Sequence, residues 1–139
     1  MNEILIALIV WVAANSPYDM TNYDPPEVVR VSQEKLDSFG YADGLDSVYL
    51  YERSPYFGTT RIIYLRDDID INNVRYKALL AHELVHDAQW YTGAFFVCNN
   101  HMEFEAYTIH QKYLTDHGSD RKLDIKFINN FKNCFNDYK

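Results

Sequence analysis

Two histidines four residues apart with a glutamate between them, in His82-Glu83-Leu84-Val85-His86, form the stretch of this chain best equipped for chemistry. On a helix, residues i and i+4 lie one above the other on a single face, so His82 and His86 can offer imidazole nitrogens to one ion. Glu83 stands one step round from His82. It cannot complete the ligand set from the same turn, yet it borders that face and reaches water on the ion. Imidazole suits zinc, and a carboxylate base beside the ion is what metal-assisted hydrolysis requires. Leu79, Leu80, Ala81, Leu84 and Val85 give the helix apolar residues that bury its remainder and leave the imidazoles facing a cleft. The alternative is a surface helix with two solvated imidazoles.

A catalytic zinc takes three protein ligands and keeps one position for water, so a further His, Asp or Glu is expected downstream. His101, Glu103 and Glu105 are the candidates. In helical register Glu105 shares an arc with Met102, Ala106, Ile109 and Tyr113, which reads as the core-packed face. Glu103 lies about 200° away, with His110 and Asn99. A ligand on a second helix must point inward, so Glu105 is favoured as the third ligand and Glu103 is the runner-up.

With Glu105-Ala106 placed 19 residues after His86, the chain looks like the gluzincin branch of the zincin-fold metallopeptidases, of which thermolysin is the familiar member. More narrowly it resembles small bacterial and phage proteins that carry His-Glu-Leu-Val-His, a Gln three residues on, a Cys, and then Glu-x-Glu-Ala-Tyr. The matching positions are His82 to His86, Gln89, Cys98 and Glu103 to Tyr107, and distinctive residues run from about Tyr49 to Leu114. The resemblance implies a single zincin-like metallopeptidase domain over residues 1–139. It implies zinc (Zn2+) on His82, His86 and Glu105, with Glu83 as general base and a peptide or protein as substrate. It also implies that Thr60 to Arg66, the strand before the active-site helix, acts as an edge that takes up substrate; a strand that merely covers the helix is the alternative. Ile109 stands where thermolysin-like enzymes place an Asp, and only 53 residues follow His86 where those enzymes have a large second lobe, so the groups that orient a histidine and stabilise a transition state are open. Tyr107, His110 and Tyr113 are the first donors to consider. The missing lobe also motivates the rival reading, a catalytically inactive zincin-scaffold protein that binds or regulates a partner.

The elements that must hold these residues can be read from pattern and punctuation. Nearly half the residues are apolar, 16% are aromatic, and 139 residues suffice for one domain with a core. A formal charge of −7 with no basic cluster argues against nucleic acid or an anionic membrane as partner. Ile4 to Ala14 is an apolar run too short for a membrane span. With Glu3 ahead of it and no Lys or Arg before Arg30, it reads as a packed helix in preference to a signal, which favours a cytoplasmic location.

Residues 15–26 read as a loop, Glu27 to Val31 as a short strand, and Ser32 as the cap of a helix from Gln33 to Phe39. Val48 to Glu52 and Thr60 to Leu65 are strands joined by a hairpin around Pro55 and Gly58. Tyr49, Tyr51, Tyr56, Phe57 and Tyr64 either line a cleft or pack the pleat. Asn72 or Asn73 caps a long helix to about Tyr91, which Gly93 ends. A second helix runs from about Asn100 to Asp116, and Leu123 to Tyr138 form a last one with Ile125, Phe127, Ile128, Phe131 and Phe135 inward. This is an α+β order: a small antiparallel or mixed sheet packed on the active-site helix and a following ligand helix.

Cys98 and Cys134 are the two cysteines. Bonded, they would stabilise the fold by roughly 4 kcal/mol and indicate export to an oxidising compartment. Two free buried thiols are the alternative.

Overall fold

A computed structural model describes residues 1–134, and its elements follow the order α1 (Asn2–Asn15), β1 (Glu27–Val31), α2 (Gln33–Ser38), β2 (Ser47–Ser54), β3 (Gly58–Arg66), α3 (Val74–Tyr91), α4 (Asn99–Asp116) and α5 (Ile125–Asn129), with a 3₁₀ turn at Asn130–Lys132. The class is α+β. The chain divides into two compact units, with residues 21–70 forming one and residues 1–20 with those from 71 onward forming the other.

The continuous unit is a three-stranded mixed sheet in the order β1-β3-β2, with β1 parallel and β2 antiparallel to β3. Ser54 starts the β2–β3 turn by accepting from the backbone N–H groups of Tyr56 and Phe57 at 3.1 and 3.2 Å. Gly58 meets the positive φ of +78° that closes it. Tyr56 and Phe57 therefore stand exposed at a hairpin tip. The resemblance leads one to expect a free edge at Thr60 to Arg66; here β3 is the central strand. Over Ile62–Leu65 it pairs with β1 on one side and β2 on the other, so those backbone groups are already bonded. Ser32 caps α2 by accepting from Lys35 N–H, and Leu36 is fully buried.

In the second unit, α1 and α4 both pack on α3. The apolar run near the start is a helix with Leu8 and Val12 buried and Trp11 edge-on to Tyr113, ring centroids 5.0 Å apart. No described helix is long and apolar enough to cross a membrane. Asn73 is the cap of α3, its side chain accepting from Arg75 N–H at 2.9 Å. Gly93, at φ +68°, ends that helix, with Ala94 N–H returning to Gln89 O. Ala78, Leu80, Ala81, Leu84, Val85 and Ala88 are wholly buried, so α3 is the core of this unit. Burying each of its larger side chains contributes about 1.5–3 kcal/mol.

Where a single helix is expected from Leu123 to Tyr138, the described residues form a five-residue helix followed by the 3₁₀ turn. Asp124 caps it by accepting from Lys126 and Phe127 N–H, and Asn129 and Asn130, poor helix formers, sit where the α-helix stops. Ile128 is buried as expected, whereas Ile125 and Phe127 are exposed. Phe135 lies outside the described residues.

Candidate metal centre

Helix α3 places His82 and His86 on one face because they are one turn apart, with ring centroids separated by 5.0 Å. The carboxylate that meets them comes from α4, and it is Glu103. Its Oε1 lies 3.8 Å from His82 Nε2 and hydrogen-bonds His86 Nε2. Ligand atoms of His82, His86 and Glu103 all fall within 4.8 Å of one another.

The register grouping read from the sequence holds, but the arc that faces the histidines is the polar one. Ala106, Ile109 and Tyr113 are buried as one stripe, while Glu103, Tyr107 and His110, at i, i+4 and i+7, form the stripe against His82 and His86. Glu105, expected as third ligand, is held elsewhere. It accepts from the Tyr18 hydroxyl and from Gln89 Nε2, the latter at 3.1 Å.

Each imidazole is oriented from its other nitrogen. His86 Nδ1 donates to Gln89 Oε1 at 2.8 Å, and the Gln89 amide is itself fixed by donating to Met102 O and Glu105 Oε1. His82 Nδ1 and His110 Nδ1 lie 3.1 Å apart and share one N–H. Burial, with His82 and Arg121 nearby, lowers the pKa of His110 to about 3, so its ring is neutral at ordinary pH. A neutral His110 can take the Nδ1–H of His82 when its own ring proton sits on Nε2. With His82 as the donor, the Nδ1 atoms of His82 and His86 are both engaged away from the site, and both Nε2 atoms face Glu103. Metal-ligating histidines are commonly fixed in this way.

The charges at the site are strongly coupled. Burial favours the neutral forms of Glu103 and His86, yet their mutual contact wins. The two imidazoles hold the Glu103 carboxyl well below the usual carboxylate range, and Glu103 raises His86. Without a metal this is an ion pair. Two nitrogens and one carboxylate oxygen suit zinc, whose 2.0–2.1 Å bonds set tetrahedral ligand atoms about 3.3 Å apart. The 3.8 Å between His82 Nε2 and Glu103 Oε1 is within about half an ångström of that spacing. The fit rests on the donor set, two imidazoles and a carboxylate gathered within 4.8 Å of one another.

Glu83 is buried on α3 beside His82, and its charge raises both His86 and Tyr107. The Tyr107 ring lies 4.4 Å from that of His82. Burial, then Glu103 and Glu83, push the Tyr107 phenol up to about 12, so it stays a hydrogen-bond donor. Of the three donors considered from sequence, Tyr107 borders the site, His110 hydrogen-bonds His82, and Tyr113 is stacked on His117 at 3.8 Å. The sequence pattern alone assigns Gln89 no role and offers His110 only as a donor to consider. Gln89 was detectable as the residue three after His86, on the same helical face.

Cys98 and Cys134 are disulfide-bonded across a sequence separation of 36. The bond ties the residue that precedes α4 to the segment after the 3₁₀ turn.

No curated protein and no solved structure matches this chain. A family model described as "Domain of unknown function (DUF6647)" matches residues 1–137, and the chain belongs to that family.

Proposed function

We propose that this chain is a zinc-dependent hydrolase of the metallopeptidase type on a minimal zincin-like fold, with His82, His86 and Glu103 holding the ion and Glu83 as general base. The observation that carries the reading is the convergence of both Nε2 atoms on Glu103 while both Nδ1 atoms are hydrogen-bonded to orienting partners. A zinc ion bound there supplies Lewis acidity and a nucleophile at neutral pH. Glu83 takes the proton of the attacking water and returns it to the leaving amine. Tyr107, protonated and beside His82, donates to the oxygen on which charge develops. The choice of an amide as substrate rests on the likeness of His82 to His86 and Glu103 to Tyr107 to the gluzincin pattern.

A cleft of 360 Å³ between the end of α3 and the start of α4, lined by Gln89, Trp90, Phe95, Phe96, Val97 and Met102, suits an apolar side chain of such a substrate. The Cys98–Cys134 bond supports work in an oxidising compartment. The test is cleavage of a peptide library by the wild type and by Glu83→Gln at equal zinc occupancy. The variant should retain zinc and lose about 10²–10⁴-fold in rate. Undiminished cleavage in Glu83→Gln would remove Glu83 from the mechanism.

A further inference from the structure

His101 is turned toward the disulfide. Its Nε2 lies 3.5 Å from Cys134 Sγ, and Cys98, the residue that precedes α4, is three positions earlier. All three side chains are half-buried, open enough for a small reductant or an ion to reach. Ligand atoms of Cys98, His101 and Cys134 fall within 4.8 Å of one another. We propose that these three residues form a second metal site, opened when the disulfide is reduced, for a thiophilic divalent ion such as zinc.

The donor set is the first argument. Two thiolates and an imidazole are a preferred combination for zinc, and soft sulfur ligands select against magnesium and calcium. Contacts free of sulfur also hold the three residues together when the S–S bond opens. Asn100 Nδ2 donates to Asn133 O at 2.9 Å, the Lys132 ammonium lies 5.4 Å over the Phe104 ring, and Tyr107 stacks on Phe131 with centroids 5.5 Å apart. Each of these contacts joins α4 to the 3₁₀ turn or the residue after it, and none involves sulfur. The Cα atoms of the two cysteines are 5.8 Å apart, so side-chain rotation brings the sulfurs to the roughly 3.8 Å separation of a tetrahedral zinc site.

The chemistry balances. A dithiol reductant passes two electrons and two protons to the disulfide, leaving two protein thiols and its own disulfide. Metal uptake forms two S–metal bonds and one N–metal bond, and releases the two thiol protons to water. His101 now donates from Nε2 to Lys132 O at 3.1 Å; to ligate through Nε2 it moves the ring proton to Nδ1 and gives up that bond. Three protein ligands leave the fourth position to water. The start of α4 is thus stapled by a covalent bond under oxidising conditions and by an ion under reducing ones. The inference is independent of the His82–His86–Glu103 reading, because it uses none of those residues.

The experiment titrates cobalt(II) into the full chain, oxidised and after reduction with a phosphine, which takes oxygen from water as the disulfide becomes two thiols. Thiolate-to-cobalt charge transfer in the near ultraviolet reports sulfur ligation, which a His–His–Glu centre cannot produce. The oxidised chain should show no such band. The reduced chain should develop it to one ion per chain, and reduced His101→Ala should bind that ion at least about 10-fold more weakly. Absence of the band in the reduced wild type would overturn the site, and equal affinity in His101→Ala would overturn the three-ligand assignment. If His101→Ala does not fold, the oxidised and reduced wild type still decide whether the site exists.

Discussion

His86 and Gln89 are joined by a 2.8 Å hydrogen bond from the imidazole Nδ1 to the amide oxygen, one turn apart on α3, and this bond aims His86 Nε2 at Glu103. Removing such an orienting partner lowers metal affinity by about 10–100-fold. Gln89→Leu should therefore weaken zinc binding by that factor, measured by competition with a chromophoric chelator. Affinity equal to wild type would show that His86 needs no support from Gln89.

Tyr107 is expected to act through its hydroxyl alone. Tyr107→Phe keeps the ring against His82 and Phe131 and should keep zinc. Its kcat should fall by about 10²–10³ with little change in KM. An unchanged kcat would leave Tyr107 as packing only.

The metal-free chain should show a pH signature of the His86–Glu103 pair. Glu103 is held below its unfolded value of 4.5, so its contribution is present above that value and is lost as pH falls through the folded one. His86 is raised above 6.5, so its contribution is complete below 6.5 and is lost as pH rises through its folded value. In chelator, the Tm difference between wild type and Glu103→Gln should be greatest between about pH 4.5 and 6.5 and shrink above it. Zinc reverses the trend, because protons compete with it for the imidazoles. A difference independent of pH would show that the pair is not charged as described.

Leu84 lies inside the His-Glu-x-x-His motif and is wholly buried. Leu84→Ala should cost about 2–5 kcal/mol in denaturant unfolding, since α3 is packed around it. A cost below about 1 kcal/mol would mean that this side chain is not a core element.

The elements that position the site were legible where side chains signal locally. Asn73 before an apolar helical run, Gly93 after it, and Ser32 ahead of Gln33 marked boundaries that the structure shares, because caps and positive φ are set by single residues. The hairpin at Pro55 to Gly58 was legible for the same reason. The facing of α4 was harder to read. Periodicity placed Glu103 and Glu105 on opposite sides of that helix but could not say which side met the histidines. The apolar arc of Ala106, Ile109 and Tyr113 is buried next to the polar arc of Glu103, Tyr107 and His110, and inward pointing does not separate the two. The position of β3 depended on β1, more than 30 residues earlier, joining it in parallel, a long-range pairing with no local mark. The end of the α-helix at Asn129 was visible only as weak propensity in Asn129 and Asn130.

The proposed metal centre is decided by counting zinc per chain, by native mass spectrometry, in the wild type, Glu103→Ala and Glu105→Ala, each refolded with the same zinc supply. The oxidised wild type should hold one ion in a non-thiolate centre, Glu103→Ala should lose it, and Glu105→Ala should retain it with affinity weakened only through Gln89. A Glu103→Ala chain that keeps its zinc while Glu105→Ala loses it would exclude Glu103 as the third ligand.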